Sequence, residues 1–154
     1  MSDCRILVVA HAPLAAALKA CAVHVFGAQA DDVLALDVRP EHDVTHWLAQ
    51  APQLLGASQA PLLILTDVFG ATPFNVARAL ADWSCARGVP AQMLTGANVP
   101  MLLRAMTYRD ESLPELLERA ESGAVQGVIH VSPKRGVQQA NRPAHDPGHH
   151  HHHQ

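Results

Sequence analysis

Leu62-Leu63-Ile64-Leu65-Thr66 decides the architecture: an uncharged run opened by Pro61 and closed by Asp67. A short, continuous apolar segment of this kind reads as a strand covered on both faces. Past Asp67 the chain turns through Phe69-Gly70-Ala71, and Thr72-Pro73 reads as the N-cap and first residue of a helix. That helix buries Phe74, Ala77, Leu80 and Ala81 and ends at Gly88. A buried strand feeding an amphipathic helix is one unit of a βα alternation.

The same unit recurs on either side. Upstream, Ile6-Leu7-Val8-Val9-Ala10 is a second buried run, and Pro13 suits the first position of a helix carrying Leu14, Leu18, Cys21 and Val25 up to Gly27. Val33 to Val38 is the next strand, followed by a helical pattern of Val44, Trp47, Leu48 and Ala51 that Pro52 should stop or kink. Downstream, Ala91 to Thr95 is a weaker strand, and Gly96-Ala97-Asn98-Val99-Pro100 turns into a helix through Met101, Leu102 and Met106. Ser112 and Glu115 have capping-box spacing for one more helix, through Leu113, Leu116, Leu117 and Ala120. Gly127-Val128-Ile129-His130-Val131 reads as a last short strand. This alternation predicts an α/β fold, a doubly wound parallel or mostly parallel sheet with helices on both faces. There is no internal repeat. Residues 1–131 form the expected domain; 132–154, rich in Pro, Gln, Asn, Gly and His, lack periodicity and read as a disordered tail. The terminal run from His149 to His153, native or a tag, is kept out of the fold reading.

Composition narrows the function. With 154 residues, 49% hydrophobic, the chain can build one real core and has little room for two. Only 16% of residues are charged and the formal net charge is −3, so no basic field exists for nucleic acid or an anionic membrane surface. No apolar run reaches the roughly 20 residues of a membrane span. The N-terminus lacks the shape of a signal peptide, and Cys4, Cys21 and Cys85 lack metal-ligand spacing. A cytoplasmic protein is the expectation.

His11 ends the first strand and Asp67 the third. In open α/β sheets, ligands bind beyond the carboxyl ends of the strands, where the strand order reverses. Taking the order as 2-1-3-4, the reversal falls between those two strands, about 4.8 Å apart, so an imidazole and a carboxylate at their tips can hydrogen-bond. A carboxylate that accepts a hydrogen bond from Nδ1–H leaves Nε2 as the nucleophile and stabilises positive charge developing on the ring. Such a nucleophile suits phosphoryl transfer if donors surround the phosphoryl oxygens. Phe69-Gly70-Ala71-Thr72-Pro73 supplies them as a tight turn into a helix N-terminus, although Pro73 itself has no N–H. Thr72 can serve the phosphoryl group or its own helix, and Asn98, before Val99-Pro100, can close the crevice from the other side or act as a cap.

Val9-Ala10-His11, the stretch from Leu65 to Asn75 (Leu-Thr-Asp-Val-Phe-Gly-Ala-Thr-Pro-Phe-Asn) and Gly96-Ala97-Asn98-Val99-Pro100-Met101-Leu102 together resemble the IIA component of the mannose-family sugar phosphotransferase system (PTS). The similarity runs in order and spacing from about residue 4 to 131. It implies four parallel strands extended by a fifth, antiparallel edge strand that is exchanged between subunits of a homodimer, placing Val128 to Val131 at an interface. It implies that His11 is phosphorylated at Nε2 with Asp67 as orienting partner, that the phosphocarrier protein HPr is the donor, and that a IIB histidine is the acceptor. HPr is itself charged from phosphoenolpyruvate by enzyme I. Ala12 stands where the family often has Gly or Ser, and Phe69 where it often has Trp. No IIB domain follows, so a separate IIB is expected. The alternative is a stand-alone regulatory protein whose partner binding depends on His11 phosphorylation, without sugar transport. A related phosphotransfer domain of dihydroxyacetone kinase systems fits the Thr-Pro-Phe-Asn segment less well.

Other signals weigh less. His42 and His46 are spaced i, i+4, but no third ligand is evident, and they read as a solvated face. His24 and His130 read as packing or surface residues, and Arg104 and Arg109 as exposed cations able to meet an acidic partner. The Walker loop, the dinucleotide fingerprint and the zinc-helix motif are absent, so neither cofactor nor metal is expected.

Overall fold

The computed structural model describes residues 3–134. Four strands, β1 (Arg5–His11), β2 (Leu34–Val38), β3 (Leu62–Thr66) and β4 (Ala91–Leu94), form one sheet in the order β2-β1-β3-β4, all neighbours parallel. Six helices connect and follow them: α1 (Leu14–Phe26), α2 (Val44–Leu48), α3 (Ala51–Leu55), α4 (Thr72–Ala86), α5 (Val99–Thr107) and α6 (Leu113–Gln126). A short 3-10 turn, Gly27–Ala30, follows α1.

The period of two along each strand builds two cores from one sheet. Ile6, Val8, Ala10, Leu63 and Leu65 point to one face and meet Ala15, Leu18, Met101, Leu102, Leu116 and Ala120 of α1, α5 and α6. Leu7, Val9, Leu62 and Ile64 point to the other and meet Trp47, Ala51, Leu55, Val76, Ala77 and Leu80 of α2, α3 and α4. Both central strands are therefore buried on both faces and, Thr66 at the end of β3 apart, apolar there, which is why β3 shows no alternation in its sequence.

Pro52 acts as anticipated. The pattern from Val44 to Leu55 splits into α2 and α3, with Asp43 capping α2 through His46 N–H at 3.0 Å and Pro52 in the first turn of α3. The Ser112–Glu115 capping box forms at the start of α6.

Two expectations change. Helix α4 begins at Thr72 itself, with Ala71 at the cap position and Pro73 second, so the Thr72 hydroxyl is not a cap. The segment Gly127–Val131 forms no strand within the chain, and Val128, Ile129 and Val131 are exposed. A strand exists only against a hydrogen-bonding neighbour, and this segment runs on from α6 without one. The tail expected to be disordered lies, from residue 135 on, outside the described residues.

Candidate functional site

The parallel register sets Val9 opposite Thr66 and His11 opposite Val38, so the ends of β1, β2 and β3 share one rim of the sheet. Asp67, one residue past β3, reaches back to His11. Its Oδ2 accepts the His11 backbone N–H at 2.9 Å and the ring Nδ1 at 2.7 Å, while its Oδ1 accepts the Val68 N–H at 2.9 Å. The carboxylate is only 9% exposed, the imidazole 57%.

Burial alone would raise the Asp67 carboxyl, but hydrogen bonds from the His11 backbone, the His11 ring and the Val68 N–H outweigh it and hold the group below its ordinary 3.8. Asp67 is therefore ionised at neutral pH and can only accept, so Nδ1 is the donor of the pair. Nε2 is the ring nitrogen not engaged by Asp67, on a side chain that is exposed. The two residues named from the sequence are thus joined, with the tautomer set by the carboxylate.

Three helices of eight residues or more start on this rim, and only one leaves its N-terminus open. Asp37, on β2, accepts Ala15 N–H at 2.9 Å and Ala16 N–H at 3.3 Å, closing α1 from the neighbouring strand. Asn98 Oδ1 accepts Met101 N–H at 2.9 Å and closes α5. Helix α4, 15 residues long, carries no side-chain cap. Its positive end and the N–H groups of Gly70, Thr72 and Phe74 have no acceptor among the described residues. Ala71 N–H is spent on the Val68 carbonyl at 3.5 Å. Gly70 has φ of 80°, a conformation that favours glycine and lets the chain turn tightly from β3 into the helix. The Thr72 hydroxyl is free and exposed.

Asn98 reaches the same rim because Gly96 N–H and Ala97 N–H bond the carbonyls of Asp67 and Thr66 at 3.1 and 2.8 Å. Its amide is engaged at both ends, the Oδ1 on α5 and the Nδ2 on the Ala124 carbonyl at 3.4 Å. The ring of Phe69 stands in solvent, its centroid 4.7 Å from that of Phe74.

Asp37 is the functional-site residue that sequence reasoning passed over. Nothing local marks it, because the helix it caps lies upstream and is joined to it only by the β1–β2 pairing. Arg109 belongs elsewhere. It pairs with Asp32 and its carbonyl accepts Cys4 N–H, at the opposite end of β1 from His11. His42 and His46 stack face to face, centroids 3.8 Å apart and planes at 8°. Parallel rings cannot aim their in-plane lone pairs at one ion, and no cluster of three or more potential ligands occurs among the described residues. Likewise, no described helix is long and apolar enough to cross a membrane.

Comparison with known proteins points the same way. Three solved structures are similar over most of their length. EIIA of Streptococcus agalactiae shares 23% identity, with a TM-score of 0.71, covering 82% of this chain and 95% of that one. The mannose/sorbose-specific IIA subunit of Enterococcus faecalis shares 20%, with a TM-score of 0.73, covering 87% and 98%. The PTS IIA protein associated with the fucose utilization operon of Streptococcus pneumoniae shares 24%, with a TM-score of 0.62, covering 84% and 96%. At these identities the likeness is one of fold. No curated protein matches the sequence. The family described as PTS system fructose IIA component, EIIA-man, matches residues 5–121, a span that holds every strand and the whole His11–Asp67 rim, and the chain belongs to that family.

Proposed function

We propose that this PTS IIA component carries a phosphoryl group on Nε2 of His11, taking it from phosphorylated HPr and passing it to a IIB histidine. The observation behind this reading is the 2.7 Å contact between His11 Nδ1 and Asp67 Oδ2, which turns Nδ1 to the carboxylate on an imidazole that is itself exposed, leaving Nε2 as the nitrogen for phosphorus. The Nε2 lone pair attacks phosphorus, the P–N bond of the donor phosphohistidine breaks, and the donor ring departs with that electron pair. His11 then holds both a phosphoryl group and its Nδ1 proton, and the buried carboxylate balances the positive ring.

The phosphoryl oxygens would lie against the open end of α4, on the N–H groups of Gly70 and Thr72 and the Thr72 hydroxyl, with Ala71 shaping the turn and Phe69 beside it. Asn98 supports the opposite turn by holding α5 to α6. Transfer to IIB reverses the same step. The exposed Val128 to Val131 segment favours a homodimer in which it pairs with an edge strand of the second subunit, and HPr and IIB are soluble-side partners, so the reading places the protein in the cytoplasm. The test is incubation with phosphoenolpyruvate, enzyme I and HPr, then mapping of the modified residue. Acid-labile phosphate on His11, lost in His11→Ala, is the expected result; labelling retained in that variant overturns the assignment.

A further inference from the structure

At the amino end of the sheet, two arginines share a cleft that the His11 chemistry does not use. Arg5 opens β1 and, by the period of two, shares the face of Leu7 and Val9. There one of its N–H groups donates to the Leu55 carbonyl, at the end of α3, at 2.8 Å. Arg87, just past α4, lays its guanidinium over the Trp83 ring, 3.9 Å from the centroid. Both side chains line a cleft of about 220 Å³, together with the end of α4 and the loop from Gly56 to Gln59. His11 stands at the other end of β1, about 20 Å along the strand.

Neither guanidinium is neutralised. Among the described residues Arg5 and Arg87 form no ion pair, and no acidic side chain lines the cleft. Arg5 is half-buried, and burial holds its pKa below the ordinary arginine value, with Asp32 the offsetting charge. A cation desolvated in this way gains from an arriving anion. The carbonyls at the end of α4 are already served: Ser84 O accepts Arg87 and Val89 N–H at 3.0 and 3.1 Å, and Cys85 O accepts Gly88 N–H at 3.0 Å. Capping thus uses a single N–H of Arg5, and stacking uses the flat face of Arg87, so the hydrogen-bonding edges of both forks remain. Neutral donors stand beside them. Ser84 is only 4% exposed and lines the cleft, and its hydroxyl has no hydrogen-bond partner among the described residues. The N–H groups of Ala57, Ser58 and Gln59, in the lining loop, have no acceptor there either.

We propose that this cleft binds a phosphate dianion, free or as the ester end of a small metabolite, between the edges of the Arg5 and Arg87 guanidinium groups. Ser84 and the loop N–H groups are the neutral donors. Two guanidinium groups balance a dianion, and their planar forks match the paired oxygens of phosphate. The cleft is smaller than the pockets that take drug-sized ligands, so the ester is a small one. The site is separate from His11 and does not depend on the reading of that residue.

The test is an amide-resolved NMR titration of the full chain, without phosphate buffer and at an ionic strength fixed with sodium chloride. The probes are inorganic phosphate, glycerol 3-phosphate and succinate. Saturable shifts of the Ala57, Ser58 and Gln59 amides are expected, half-complete at about 1 mM phosphate ligand or below, with succinate about fivefold weaker. Arg5→Gln should weaken binding about tenfold, and Arg87→Gln, at an exposed position, about threefold. If Arg5→Gln does not fold, Arg87→Gln alone decides. Tighter binding of the free ion or of the ester names the source of the phosphate, and either supports the site. Shifts confined to the residues from Gly70 to Phe74 put the anion on the open end of α4 instead and overturn the proposal, as does a lack of saturation by about 20 mM. Affinity unchanged to within about twofold in the folded variants, or succinate bound as tightly as phosphate, overturns it as well.

Discussion

Asp67 grips His11 twice through a single oxygen: Oδ2 accepts the backbone N–H at 2.9 Å and the ring Nδ1 at 2.7 Å. The backbone contact ties the end of β1 to the end of β3, and the ring contact fixes the tautomer. One carboxylate thus sets both where the imidazole stands and which ring nitrogen is turned toward it.

Replacing Asp67 with Asn separates charge from geometry. The amide keeps a carbonyl acceptor but loses the negative charge that balances a phosphorylated ring. Phosphoryl transfer from phosphorylated HPr should slow by roughly tenfold or more, each tenfold being about 1.4 kcal/mol of barrier. Rapid-quench measurement of His11 labelling checks this; a rate equal to wild type would reduce Asp67 to a turn residue.

The same carboxylate makes a pH prediction. Because its folded value lies below the ordinary 3.8, its contribution to stability is fully present above that value. The contribution fades as pH falls through the lower, folded value. The difference in melting temperature between wild type and Asp67→Asn should therefore be constant from pH 7 to about pH 5 and shrink below about pH 4. A difference that instead grew on acidification would contradict the assigned hydrogen bonds.

Asp37 is expected to act on stability through α1. Asp37→Ala removes the acceptor shared by Ala15 and Ala16 N–H and should cost about 1 kcal/mol, read from urea unfolding. It also opens a second helix N-terminus next to His11. Wild-type stability in Asp37→Ala would show that those N–H groups are served by water.

Gly123 and Gly127 set how closely α6 approaches α5. A methyl at Gly123 would come within 2.6 Å of Arg104 Cβ, and one at Gly127 within 2.5 Å of Pro100 Cβ. Alanine in a helix normally gains about 1 kcal/mol over glycine. Here the clash falls on atoms near the backbone, so Gly123→Ala should instead destabilise, by about 1 to 3 kcal/mol. Thermal unfolding decides the sign.

The proposed homodimer is tested at Ile129. A charge there should be tolerated by the single chain, where the side chain is exposed, yet oppose pairing with a second subunit. Ile129→Asp is expected to convert a dimer to a folded monomer in sedimentation equilibrium. An unchanged mass would place the interface elsewhere.

Local pattern was enough for much of this. The apolar runs at Ile6–Ala10 and Leu62–Thr66, the glycines and prolines that punctuate them, and the helical spacing between determine strands and helices from near-neighbour forces alone. They also put His11 and Asp67 at strand ends, because a polar residue that closes a buried run must fall at the rim. The order β2-β1-β3-β4, which makes those ends adjacent, is a matter of long-range pairing and was decided by the fold. So were the capping of α1 by Asp37, the open end of α4, and the unpaired course of Gly127–Val131. Each depends on what the rest of the chain brings alongside, and hydrogen bonds between residues distant in sequence leave no periodic trace in it.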